Sequence, residues 1–269
     1  MTDLGPIPLN PPRKGAFSLA SVRRSNEPKP PKIVIYGTPG IGKTTFGACA
    51  PNPILIQTEE GLGLLDVPHF PVARSYQDVI DAITALLNEE HDFGTVVIDS
   101  LDQLEPLIWQ HVALREGKAN IEAFGYGKGY MFAADEMRTF LAGLDELRSR
   151  GMTVIVIAHS EVKRFESPEH EPFDRYQMRL DKRANDIVCE WADCLLFASY
   201  KVHVVRDTVK GQERTRGAGR GERIMHTEER PAWRAKNRYQ LPAELPLSWD
   251  AFQEAIGASF VNTNQPKEN

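Results

Sequence analysis

Short unbroken apolar blocks, each closed by a polar residue or glycine, alternate along the chain with stretches in which apolar residues recur every three to four positions. The blocks are Ile33 to Tyr36, Ile54 to Ile56, Thr95 to Ile98, Met152 to Ala158 and Asp193 to Tyr200. Their length and β-branched content predict strands buried on both faces. The helical periodicity falls on residues 77–90, with Val79, Ile80, Ile83, Leu86 and Leu87 on one face, on a stretch from Leu101, on 131–149, and on Lys182 to Trp191. Strands alternating with helices predict an α/β fold with a mostly parallel central sheet flanked by helices. Two further strands, Val202 to Arg206 and Arg223 to Thr227, read as a C-terminal hairpin joined by a loop rich in Gly and Arg, and Trp249 to Ile256 as a short helix.

The pattern also divides the chain. Residues 1–31 carry Pro6, Pro8, Pro11, Pro12, Pro28, Pro30 and Pro31 with little periodicity, the composition of an extended or mobile arm. Residues 32–241 form the core, and 242–269 a helix and polar tail. Within the arm, Phe17-Ser18-Leu19-Ala20 is an apolar patch with nothing local to pack on. It reads as a cover for the chain's own core or as an anchor in a neighbouring subunit.

The densest chemistry lies in Lys32 to Ala50. The strand ending at Tyr36 runs into Gly37-Thr38-Pro39-Gly40-Ile41-Gly42-Lys43-Thr44, which fits G-x-x-x-x-G-K-[ST] at every position, and Thr45 continues into a helix that Pro51 stops. Glycines let successive N–H groups turn inward on a phosphate, and the helix adds the positive end of its dipole. Lys43 is placed to reach the β- and γ-phosphates and the Thr44 hydroxyl to hold Mg²⁺. ATP with Mg²⁺ is therefore the expected cofactor pair. Asp99 closes the strand Thr95 to Ile98 and reads as the Walker B aspartate, a second metal-side oxygen.

Other candidates sit at strand ends or in loops. Glu59 and Glu60 follow the second strand, where α/β sheets place ligand chemistry. His159 ends the strand from Met152, in position to sense the γ-phosphate or merely to cap the strand. Phe124-Gly125-Tyr126-Gly127-Lys128-Gly129-Tyr130 reads as a loop in which Tyr126, Lys128 and Tyr130 could stack on bases and neutralise phosphate, or as a plain glycine-rich connection. Residues 160–181 read as a long polar loop, with Lys163, Arg164 and Arg175 among alternating acids.

Composition narrows the partners. A net charge of −5 excludes a protein held on nucleic acid by bulk positive field, so any DNA contact must be local. The local excess lies between Lys201 and Arg238, where eleven basic side chains stand against five acidic ones. Three cysteines without metal spacing fit a reducing cytoplasm, and no apolar run approaches the ~18 residues of a membrane span.

The succession GTPGIGKTT, QTEEG, VVIDS, FGYGKGY, VIVIAHS and AKNR resembles a RecA-type P-loop ATPase core over roughly residues 30–240. More narrowly it is similar to the phage AAA-like ATP-binding proteins that include the Sak-type single-strand annealing proteins. That resemblance implies Glu59 as the residue that polarises the attacking water, His159 as γ-phosphate sensor, and residues 124–130 and 160–181 as the two DNA-binding loops. It implies that Lys236 and Arg238 enter the ATP site of a neighbouring subunit, so that the protein assembles with itself as a ring or filament. Phe17 to Ala20 resembles the F-x-x-A anchor of the Rad-type recombinases. Single-stranded DNA and a single-strand-binding protein are the implied partners, in the cytoplasm of a phage host. The nearly charge-balanced second loop favours annealing over strand exchange. A helicase or helicase loader, a small-molecule or nucleotide kinase, and a nucleotide switch remain alternatives on the same residues.

Overall fold

The computed structural model describes residues 21–22, 29–166, 171–201, 203–209, 212–218 and 221–263. The segment from Phe17 to Ala20, and with it the expected anchor, lies outside them.

The apolar blocks form the expected strands. In chain order these are β1 (Lys32–Gly37), β2 (Pro53–Gln57), β3 (Thr95–Asp99), β4 (Thr153–Phe165) and β6 (Cys194–Tyr200), with β5 (Phe173–Met178) pairing back on β4. Between them run α1 (Lys43–Ala48), α2 (Tyr76–Asn88), α3 (Leu101–Arg115), α4 (Lys128–Ser149) and α5 (Lys182–Trp191). The central part of the sheet has the order β6-β1-β4-β3-β2, all parallel and flanked by helices, the α/β arrangement that the pattern predicts. It is extended antiparallel past β6 by β9 (Arg223–His226) and β11 (Glu244–Pro246), while β10 (Lys236–Asn237) pairs with the amino end of β6.

Both faces of the sheet are covered, which is why its strands read as continuous apolar runs. Val34, Tyr36, Val96, Ile98, Val154 and Val156 pack under α2, α3, α4 and α5. Their neighbours Ile33, Ile35, Val97, Ile155 and Ile157 face α1 and the C-terminal helix α6 (Trp249–Thr263). Phe46 of α1 meets Trp249 and Phe252 of α6 edge-on, with ring centroids 5.5 and 5.9 Å apart. Helix α2 starts on a full capping box, Ser75 accepting from Asp78 N while Asp78 accepts from Ser75 N.

Three expectations are corrected. Residues 160–181 are a hairpin, not a structureless loop: β4 runs on past the sheet edge and pairs with β5 from Ser160↔Met178 to Phe165↔Phe173. Its alternating charged residues hid it, because β5 packs on the core largely through Arg175, Tyr176 and Met178 and so shows no regular apolar side. Residues 124–130 are not an open loop either. A 3₁₀ turn (Ile121–Phe124) leads through Gly125, Tyr126 and Gly127, all at positive φ, directly into α4. Finally, β9 pairs with β6 rather than with the strand expected from Val202. That segment, β7 (His203–Val209), pairs instead with β8 (Gln212–Ala218) in a separate antiparallel ladder, whose side chains lie outside the described residues.

Candidate nucleoside-triphosphate site

At the carboxyl ends of β1, β2, β3 and β4 a cleft of ≈ 410 Å³ opens, lined by residues of the phosphate loop and by Glu59, Glu60, Asp99 and His159. Gly40 and Gly42 adopt φ of 73° and 110°, the left-handed conformations that make glycine necessary there. Gly37 is needed for space, since a Cβ would sit 2.4 Å from the Ala198 carbonyl oxygen of β6. Phe46 N bonds to Gly42 O at 3.0 Å and opens the first turn of α1, leaving the loop amides before it for an anion.

Lys43 is only 4% exposed, and its Nζ donates to Gly37 O and Thr38 O, both at 3.0 Å. Burial lowers its pKa, against the carboxylates of Asp99, Asp102 and Glu59 that favour the ammonium. The lysine is thus folded onto its own loop, with its charge directed to the place where phosphate oxygens would replace two carbonyls. Thr44 Oγ1 donates to Asp99 Oδ2 at 2.6 Å. Burial raises the Asp99 pKa, with the Thr44 hydroxyl and Lys43 pulling the other way and the Glu59 charge adding to the rise. A hydroxyl and a carboxylate are hard oxygen donors, and one or two protein oxygens completed by phosphate and water are what Mg²⁺ takes. The donor set therefore fits that ion.

Glu59 is fixed by how β2 ends on β3. Thr58 N bonds to Asp99 O at 2.8 Å, Thr58 Oγ1 donates to Ser100 O at 2.7 Å, and Ser100 N donates back to Thr58 Oγ1 at 2.9 Å. The Asp99–Ser100 peptide is cis. Ser100 Oγ then donates to Glu59 Oε1 at 2.8 Å, and His159 Nδ1 stands 3.9 Å from the same oxygen. Glu60 instead pairs with Arg74 at 3.1 Å, both side chains largely in solvent. Of the two carboxylates, Glu59 is the one tied into the site.

Behind His159 lies a residue that sequence patterning missed. The Asp102 side chain is completely buried; it accepts from His159 N at 2.8 Å, stands 3.1 Å from His159 Nδ1, and accepts from Arg179 Nη2. A carboxylate can only accept, so Nδ1 carries a hydrogen. Burial alone would raise the Asp102 pKa, but the His159 and Arg179 hydrogen bonds outweigh it and hold the carboxyl well below the usual range. Only the second aspartate of Asp99-Ser100-Leu101-Asp102, on an otherwise apolar helix start, could have hinted at it. Arg223 was also missed: from β9 its Nη1 reaches Ile41 O at 3.3 Å and lies beside Gly42.

The expected DNA contacts differ in how exposed they are. Tyr126 stands fully in solvent at the tip of its turn, and Lys128 is exposed at the start of α4. Tyr130 belongs to the packing instead. Its ring meets Trp109 edge-on at 5.4 Å and its hydroxyl donates to Glu122. Lys163 and Arg164 are exposed on the β4 arm, with Lys163 paired to Glu161 at 2.7 Å. Arg175 is 8% exposed, bonded to Glu229 and to Trp233 O and lying over the Phe165 ring; it holds the hairpin to the core.

Lys236 and Arg238 lie at the opposite end of the sheet. Lys236 and Asn237 pair with Leu195 and Cys194, level with the start of β1, whereas the phosphate loop follows Gly37, level with Ala198. Lys236 Nζ donates to Cys189 O and Glu190 O at 2.9 and 2.7 Å, and Arg238 Nη1 to Asp193 Oδ1 at 2.9 Å. Neither reaches its own subunit's cleft.

Among solved structures, the chain is similar to flagellar accessory protein FlaH from Methanocaldococcus jannaschii, at 11% identity and a TM-score of 0.40 over 81% of this chain and 84% of that one. No curated protein matched the chain. Among the described residues no helix is long and apolar enough to cross a membrane. The family model described as "AAA domain" matches residues 29–239, which take in the phosphate loop, Glu59, Asp99 and His159. The chain belongs to the AAA domain family of P-loop ATPases.

Proposed function

We propose that the protein hydrolyses ATP, assembles with itself on single-stranded DNA, and promotes the pairing of complementary strands. The observation that carries the coupling is Asp102. It binds both roots of the β4–β5 hairpin, His159 on one strand and Arg179 just beyond the other, and sets His159 3.9 Å from Glu59. An arm that starts beside the catalytic cleft, with both its roots joined there by one buried carboxylate, is suited to report a bound polymer to the reacting groups.

In this reading Lys43 and the loop amides hold the β- and γ-phosphates, and Glu59 takes a proton from the water that attacks the γ-phosphorus as the bond to ADP breaks. Ser100 keeps the Glu59 carboxylate in place, and His159 adds a polar ring beside it. Thr44 and Asp99 would hold Mg²⁺, which would neutralise phosphate charge. Lys236 and Arg238 are the candidates for completing a neighbour's site, once they exchange the carbonyls and carboxylate that now hold them. Exposed Lys163, Arg164 and Tyr126 are the remaining candidates for the strand itself.

ATP turnover measured with and without single-stranded DNA, beside annealing of complementary oligonucleotides, tests the reading. Stimulated turnover and faster annealing are expected. Turnover with no single-strand affinity at low salt would reduce the protein to an ATPase of another purpose.

A further inference from the structure

A second and larger cavity, ≈ 470 Å³, opens beside the nucleotide cleft. Thr38 lines it, while Gly40, Gly42, Lys43, Thr44 and Thr45 line the cleft, so the two sites share one loop. Its size falls within the roughly 300–1,000 Å³ of small-ligand sites.

The wall is built of rings. Tyr176 of β5 lies on Phe197 of β6 with centroids 5.0 Å apart and planes 27° apart. Phe197 faces Trp233 at 5.8 Å and 24°, and Trp233 lies on His226 of β9 at 4.1 Å and 30°. Burial pushes His226 below the ordinary histidine value, against the pull of Glu244. Its Nε2 is 3.0 Å from Ser199 Oγ. Polar groups sit at the rim: Lys201 Nζ is 3.8 Å from Glu244 Oε2.

Nearly parallel aromatic faces with a donor and an acceptor at the edge suit a flat heterocycle, not an aliphatic chain or a sugar. The nucleotide cleft has apolar side chains of its own, Leu62 and Leu65, to offer the base of the triphosphate. We propose that the ring-lined cavity takes one nucleobase, presented by single-stranded DNA running along the β4–β5 hairpin. The inference rests on the DNA reading above. It adds a route back to catalysis: a base seated there touches Thr38, whose carbonyl holds Lys43 Nζ.

The test uses the full chain with an oligonucleotide carrying 5-iododeoxyuridine, and separately with free 5-iododeoxyuridine monophosphate, each photo-crosslinked and mapped by peptide mass. Crosslinks at Trp233 or Tyr176 are expected with the oligonucleotide. Tyr176→Leu removes one ring at a partly exposed position, and Ala232→Phe fills the cavity mouth. Each is expected to weaken single-strand binding about tenfold or more, the loss of one base stack, with the KM for ATP and DNA-free turnover unchanged. Full single-strand affinity in both variants, with crosslinks elsewhere, overturns the cavity and leaves the DNA reading standing. Crosslinking by the free monophosphate alone, with no oligonucleotide bound, overturns the polymer source and the DNA reading while the cavity remains a base site. No crosslink from either probe in a protein that binds DNA also overturns it.

Discussion

Replacing Asp102 by asparagine keeps the shape and removes the charge. The carboxylate faces three donors: His159 N at 2.8 Å, His159 Nδ1 at 3.1 Å, and Arg179 Nη2. An amide offers one acceptor oxygen and an NH₂, so it must turn a donor toward at least one of them. Losing one charge-assisted hydrogen bond costs about 1.5–3 kcal/mol. Arg179 is half exposed, so its own share is screened and Arg179→Gln alone should cost less than about 1 kcal/mol. With a urea m-value of about 2–3 kcal/mol per molar, the Asp102→Asn midpoint should fall by about 0.5–1.5 M at neutral pH. The pH sign follows from the lowered pKa. Asp102 contributes its stability above the unfolded aspartate value of about 3.9 and loses it as pH falls from there through the folded value, so wild type and variant should converge in acid. Because His159 also loses its anchor beside Glu59, kcat should drop by about 10²-fold, the scale of a misplaced catalytic group, with little change in the KM for ATP. An unchanged urea midpoint together with unchanged kcat would refute the bridging role.

Glu59→Gln should preserve ATP binding and lower turnover by about 10²–10⁴-fold, the usual contribution of a general base, as single-turnover kinetics would register. Arg238→Ala should leave nucleotide binding intact and cost about 10³-fold or more in turnover of the assembled protein; full activity would remove it from the mechanism. Phe252→Ala, at a fully buried ring against Phe46, should cost about 3–5 kcal/mol in chemical denaturation.

Wherever burial dictated the residue, the sequence was readable. Ile33 to Tyr36 and Val96 to Ile98 are apolar at every position because helices cover both faces, and α5 came out at Lys182–Trp191 as its periodicity implied. The phosphate loop was legible for a different reason: its chemistry is local, all within eight residues. Long-range polar contacts left no such trace. Asp102 meets His159 57 positions away and Arg179 77 away, and nothing in the intervening chain announces either. Arg175 looked like a solvent base because its neighbours are polar, yet the turn around Trp233 closes over it. The pairing of β9 with β6 was equally hidden, since a basic, glycine-rich stretch stands between them.

The three rings of Phe46, Trp249 and Phe252 make the end of the chain a reporter of its beginning. The helix that Phe46 belongs to starts at the phosphate loop, so any ligand that favours the ordered loop also raises the free energy needed to peel the final helix away. Amide exchange in residues 249–258 should then slow when triphosphate is present, and a fluorophore on that helix would track occupancy from the opposite terminus.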